Sequence, residues 1–131
     1  MADYRETVDY ILGIPLFAQK IGKENLSSLL CRLGNPEKAV PAIHVAGTNG
    51  KGSVAHIIAS VLQQAGYRTG LFTSPHLQDF RERIRVDGEM IPKQKVVNFV
   101  DKHHDKMVEL ELSFFEMTAA MAFDYFAQSD V

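Results

Sequence analysis

Apolar residues recur at helical spacing in most of the chain. Tyr4, Val8, Ile11 and Leu12 share one face of a helix predicted over Asp3–Leu12, which Gly13 and Pro15 end. Leu26, Leu29, Leu30 and Leu33 form the stripe of a second helix, Lys23–Leu33, with Gly34 placed for a left-handed cap. Asn35-Pro36 then turns the chain. The spacing changes at Ala42-Ile43-His44-Val45-Ala46, a short apolar run that reads as a buried parallel strand. Val54, Ile57, Ile58, Val61 and Leu62 return to helical spacing over Lys51–Ala65, and Gly66 stops that helix. Burying these five side chains is worth roughly 1.5–3 kcal/mol each before entropy. Thr69–Thr73 reads as a second strand, which makes a right-handed βαβ unit. Asp87-Gly88 is a hairpin turn between Ile84-Arg85-Val86 and Glu89-Met90-Ile91. Lys93–Val108, with Val96, Val97, Val100 and Met107, and Phe114–Ala127 are predicted helices. The fold class is therefore α/β, a parallel sheet flanked by helices. Two parallel strands make an unfinished sheet, so a truncated domain is expected.

Composition narrows the class. The 131 residues suit one domain, and 46% hydrophobic with 23% charged residues is ordinary for a globular protein rather than a disordered one. A net charge of −2 gives no reason to invoke nucleic acid or an anionic membrane as a partner. No apolar run is long enough to span a bilayer, and Met1–Glu6 lacks the layout of a secretory signal. The single cysteine, Cys31, has no partner for an internal disulfide, and a cytoplasmic setting is expected. Cys31 lies among leucines and reads as a small core residue. No repeat or low-complexity tract is present.

The chemistry concentrates in Gly47-Thr48-Asn49-Gly50-Lys51-Gly52-Ser53, between the predicted strand and helix. Glycines let successive N–H groups converge on phosphate oxygens, and the helix N-terminus adds positive potential. Lys51 supplies a full charge for the terminal phosphates, and Ser53 a hydroxyl for Mg²⁺. The general pattern G-x-x-x-x-G-K-[ST] would need glycine at Val45 and a hydroxyl residue at Gly52, so the match is imperfect. The bland alternative is a glycine-rich turn with a solvated lysine.

The longer string His44–Ser53 resembles the phosphate loop of folylpolyglutamate synthases/dihydrofolate synthases, within the Mur-ligase superfamily. Thr73-Ser74-Pro75-His76-Leu77, Glu82-Arg83-Ile84-Arg85-Val86-Asp87-Gly88 and Ser113-Phe114-Phe115-Glu116 are similar to later segments of that family, in the same order. Lys20-Ile21-Gly22-Lys23 aligns with its pterin-contacting loop. The resemblance covers essentially the whole chain and implies a Rossmann-like, phosphate-loop ATP-binding domain, of which residues 1–131 are the N-terminal part. It implies ATP at Gly47, Thr48, Asn49, Gly50, Lys51, Gly52 and Ser53, with Lys51 catalytic, and Mg²⁺ at Ser53 and Ser74. It implies a pterin substrate at Lys20, Ile21, Gly22, Lys23, Ser113, Phe114, Phe115 and Glu116. The implied reaction joins L-glutamate to a folate or dihydropteroate carboxylate through an acyl phosphate. The family's metal-binding Glu and His, its carbamoylated lysine and its C-terminal domain have no counterpart here, so these 131 residues alone are expected to be inactive.

Each assignment has a plainer rival. Ser74 can be a turn serine, Glu116 a helix-end carboxylate, and Phe114 and Phe115 core residues. His44 reads as a satisfied structural histidine, His103 and His104 as surface residues, and Arg81, Arg83 and Arg85 as a solvated comb on one hairpin face. His76 and the arginine comb have a site role as their alternative. For the whole chain the rivals are a non-catalytic nucleotide-binding or interaction module and a muramyl-peptide-type amide ligase. Gly52 and Ser74-Pro75-His76-Leu77 favour the folate branch. Unpaired sheet edges would invite self-association.

Overall fold

The computed structural model describes residues 3–14 and 24–131. Helices α1 (Tyr4–Leu12) and α2 (Glu24–Arg32) are followed by a 3₁₀ turn, Pro36–Lys38. Then come α3 (Lys51–Gln64), strand β1 (Gly70–Phe72), a second 3₁₀ turn (Phe80–Arg83), strands β2 (Ile84–Val86) and β3 (Glu89–Met90), and helices α4 (Lys93–Glu109) and α5 (Phe114–Gln128).

Three of these elements start on the same device. Asp3 and Glu6, Asp79 and Glu82, and Ser113 and Glu116 each exchange side-chain bonds with one another's backbone N–H, forming capping boxes for α1, the second 3₁₀ turn and α5. Gly34, at φ 89°, takes the left-handed conformation expected after α2. Asp87 and Gly88 both have positive φ, as a two-residue I′ hairpin requires, and the register pairs Arg85 with Met90 and Val86 with Glu89.

The core forms around α5, whose Met117, Thr118, Ala120 and Met121 are fully buried. Ile11 of α1, Leu29 and Leu30 of α2, Val96, Val100 and Met107 of α4, and Phe80, Ile84, Val86 and Ile91 of the hairpin region join the same cluster. Among the described residues, no helix is long and apolar enough to cross a membrane.

The sheet corrects the sequence reading. Among the described residues it has three strands in the order β1-β2-β3, and both pairings are antiparallel. The predicted strand Ala42–Ala46 is not part of a ladder, because no strand among the described residues lies beside it to take up its backbone groups. Its residues are largely exposed, Ile43 at 64% and His44 included, and His44 makes no hydrogen bond among the described residues, so it is not the satisfied structural histidine expected. Helix α3 has no buried residue; Val54, Ile57 and Val61 lie open to solvent. The helical period is legible in the sequence, but among the described residues no surface covers that face. Cys31 is exposed, since it faces away from the Leu29–Leu30 side of α2. His103 is buried at 5% on α4 against Phe99, whereas its neighbour His104 is exposed. Adjacent residues on a helix point about 100° apart, so only one of the two meets the core.

One close approach governs how α5 sits on the sheet. A Cβ built on Gly70 would lie 2.8 Å from Cδ1 and 2.9 Å from Cε1 of Phe126. Phe126 is buried, so its ring has little room to retreat. Gly70→Ala is expected to destabilise the chain by about 1–3 kcal/mol, the usual range for overpacking. Urea denaturation of both forms measures it, and coincident midpoints would contradict the packing argument.

Candidate functional site

The glycine loop ends at Gly50, which caps α3 in the left-handed conformation, φ 75°, with no side-chain bond to the helix end. Gly47 is also at positive φ, 150°. Val54 N–H donates to the Gly50 carbonyl at 3.0 Å, which starts the helical ladder. Among the described residues no side chain caps the first turn, formed by Lys51, Gly52 and Ser53. Asn49, Gly50, Lys51, Gly52 and Ser53 are exposed, as are Gly47 and Thr48. An uncapped 14-residue helix presenting its N–H groups beside a lysine is suited to an anion.

Ser74 lies just beyond the C-terminal end of β1, exposed, with a cis bond to Pro75. The segment after it is held from below. The Glu82 carboxylate accepts from Leu77 N–H at 2.8 Å, Gln78 N–H at 3.0 Å and Asp79 N–H at 2.8 Å. Those three bonds favour the charged form and lower the Glu82 pKa. Asp79 in turn accepts from the Tyr4 hydroxyl at 2.7 Å and from Arg81 N–H at 3.0 Å, and pairs with the Arg81 guanidinium at 3.1 Å. Burial and the bond to Asp79 push the Tyr4 phenol well above its ordinary range.

Arg83 completes the clamp. Its carbonyl accepts from Thr73 N–H at 2.9 Å, and its Nε donates to Nδ1 of His76 at 2.8 Å. Its guanidinium lies 4.9 Å from the centre of the Phe114 ring. Desolvation, then the nearby Arg83 charge, lowers the His76 pKa. Arg83 is thus buried and bonded rather than part of a solvated comb. The alternation assumed for the comb fails because Arg81 and Arg83 belong to a 3₁₀ turn; Arg85, on β2, bonds the Gly88 carbonyl at 3.1 Å.

The Ser113–Glu116 segment divides its roles. Phe114 is buried, while Phe115 is 54% exposed with its ring 6.1 Å from that of Phe72. Ser113 and Glu116 cap α5, Ser113 N–H donating to Glu116 at 3.1 Å and Glu116 N–H to Ser113 Oγ at 3.2 Å. The plainer reading of Glu116 therefore has direct support. Lys20, Ile21, Gly22 and Lys23 lie outside the described residues. Phe115 packs by Phe72, the last residue of β1; no hydrogen bond joins Ser53 to Ser74 among the described residues.

No described cluster of three or more His, Cys, Asp or Glu is arranged to hold a metal ion. Ser53 and Ser74 are hard oxygen donors, exposed and without protein hydrogen bonds among the described residues. Each is a hard oxygen donor of the kind Mg²⁺ accepts, an ion that keeps several waters and shares substrate phosphates. Tyr4, Asp79, Glu82 and Arg83 were not singled out as a clamp from sequence, although Asp79-Phe80-Arg81-Glu82 carries the spacing of a capping box.

No protein-family profile matches the chain. It is 42% identical over 131 residues to the dihydrofolate synthase/folylpolyglutamate synthase of Bacillus subtilis, covering 95% of this chain and 30% of that protein. It is 40% identical to a probable bifunctional folylpolyglutamate synthase/dihydropteroate synthase of Haloferax volcanii, covering 98% of this chain and 16% of that one. A folylpolyglutamate synthase from Lactobacillus casei superposes with TM-score 0.89 at 39% identity, over 99% of this chain and 34% of that structure. A solved FPGS–AMPPCP–folate complex superposes with TM-score 0.90 at 40% identity, over 99% of this chain and 33% of the other. The chain thus spans about a third or less of the length of these relatives.

The Glu82 clamp has a pH signature. A carboxylate with a depressed native pKa stabilises the fold above its unfolded value, about 4.3, and that contribution is lost as pH falls toward the native value. Glu82→Gln should flatten the acid side of the stability profile below that pH, and the amides of Leu77, Gln78 and Asp79 should exchange faster. Hydrogen exchange and acid titration of both forms measure this; unchanged exchange at all three amides would contradict the clamp.

Proposed function

This chain belongs to the folylpolyglutamate synthase/dihydrofolate synthase family, and we propose that it forms the N-terminal, phosphate-binding part of a Mur-ligase-type ATP-binding domain in a ligase that adds L-glutamate to a folate or dihydropteroate carboxylate. The observation that carries this reading is the uncapped N-terminus of α3 beside Lys51, in a fold that superposes on a family member solved with AMPPCP and folate. The substrate carboxylate attacks the γ-phosphorus of ATP and ADP departs. The glutamate amine then attacks the acyl carbon, phosphate leaves, and the amine gives up a proton as the amide forms.

The chain's own residues serve the nucleotide side of this reaction. N–H groups from Gly47 to Ser53 receive phosphate oxygens, and the α3 dipole favours their charge. Lys51 neutralises charge on the transferring phosphoryl group. Mg²⁺, held through Ser53 and Ser74, supplies further charge neutralisation when bound. Phe115 is the face offered to the pterin, with Phe114 behind it in the core; Lys20–Lys23 provide the family's other pterin contact. Ser113 and Glu116 keep α5 in place beneath Phe115. The exposed Val54, Ile57 and Val61 face supports burial against further protein, either the remaining part of a family-length chain or a second copy. A cytoplasmic setting suits the exposed Cys31 thiol.

Lys51→Ala, made in the family-length protein, should weaken Mg-ATP binding by about 1.5–3 kcal/mol, the loss of a charge-assisted contact. Titration calorimetry measures it, and equal affinities would remove Lys51 from the site. The 131 residues alone should show no ligation, because positioning and electrostatic stabilisation need every group together. Purified chain incubated with ATP, Mg²⁺, L-glutamate and dihydropteroate or tetrahydrofolate tests this. ADP formed together with a glutamylated product would overturn the partial-site reading and favour a self-sufficient enzyme.

A further inference from the structure

We propose that His76 is a substrate-contacting hydrogen-bond donor, aimed by the positioning residue Arg83 at an anionic oxygen of the acceptor carboxylate handled beside Ser74. The inference rests on the ligase reading above and adds a residue to its site.

The geometry fixes which ring nitrogen carries the proton. Arg83 Nε lies 2.8 Å from Nδ1 of His76, and a guanidinium has donors but no acceptor. Nδ1 must therefore accept, which places the ring's proton on Nε2. Nε2 has no hydrogen-bond partner among the described residues, and it is not among their enclosed, unpaired polar atoms. It therefore opens to solvent as a single N–H donor. The ring is steadied by the edge of Phe80, centroids 6.2 Å apart.

Arg83 is costly for a purely structural residue. It is buried, and no carboxylate pairs with it among the described residues; its side-chain partners are the Phe114 face and His76. A buried guanidinium without a counter-ion carries a desolvation penalty that a turn does not need. What the residue secures is the end of β1. Its carbonyl holds Thr73, next to Ser74, and its side chain holds His76, two residues beyond. A positive charge bonded behind the imidazole polarises Nε2–H outward, and a donor so polarised favours a negative acceptor over a neutral one.

Two measurements test this. Long-range ¹H–¹⁵N correlation spectra of the 131-residue chain at neutral pH should show one His76 tautomer, protonated at Nε2, and Arg83→Met should give a mixture. A proton on Nδ1 in the wild type would overturn the proposal. In the family-length ligase, His76→Gln places an amide N–H near the Nε2 position, whereas His76→Asn mimics only Nδ1. His76→Gln should keep kcat/KM for the acceptor within about threefold, and His76→Asn should lose about tenfold or more, with Mg-ATP affinity unchanged. Wild-type turnover matched by His76→Asn would refute the inference alone. A wild type that binds no Mg-ATP would instead bring down the ligase reading, and the substrate role of His76 with it.

Discussion

Everything at the C-terminal end of β1 depends on two adjacent residues that approach it from opposite chemistries. Glu82 gathers the backbone donors of Leu77, Gln78 and Asp79, and Arg83 supplies an acceptor to Thr73 and a donor to His76. A loop that carries a candidate metal hydroxyl cannot rely on ladder bonds, since the strand has already ended. Charge-assisted bonds to backbone replace the ladder, and they are stronger than neutral ones. The 3₁₀ turn starts on the same carboxylate, so the clamp and the entry into β2 form together.

Helix α3 is held in a different way. Helix α3 meets the sheet through β1 and through Gln63, whose amide donates to the Asp87 carbonyl at 3.2 Å. Asp87 also takes Thr69 N–H on its carboxylate at 2.9 Å and returns its own N–H to the Thr69 carbonyl at 2.8 Å. The hairpin tip is thus tied to the start of β1 and to the last turn of the helix. The opposite, N-terminal end of α3 has no comparable anchor among the described residues, and that is the end proposed to take phosphate.

What could be read from residues alone follows from how local each signal is. The Asp87-Gly88 turn and the Gly34 cap are decided by a few neighbouring residues, and the hairpin and helices appear where the sequence places them. The Gly50-capped start of α3 belongs with them. Strand Ala42–Ala46 fails for the opposite reason: a ladder needs a partner, and hydrophobicity states only a demand for one. Cys31 and His103 were misjudged because one step along a helix separates an outward from an inward position. Arg83 escaped because its burial depends on Phe114 and His76, neither of them adjacent in sequence. Glu116 shows the limit of a motif, since the residue that resembles a substrate contact is also the one that caps its helix.

The contact between Gly70 and the Phe126 ring makes the history of one position depend on the other. A side chain at position 70 and an aromatic ring at position 126 compete for one volume, so neither position is free while the other keeps its present size. A lineage that acquires alanine or valine on β1 needs a smaller residue on α5, and either order crosses a destabilised intermediate, overpacked in one case and cavity-bearing in the other. Two sites distant in sequence are therefore one unit of inheritance, and each records the constraint of the other.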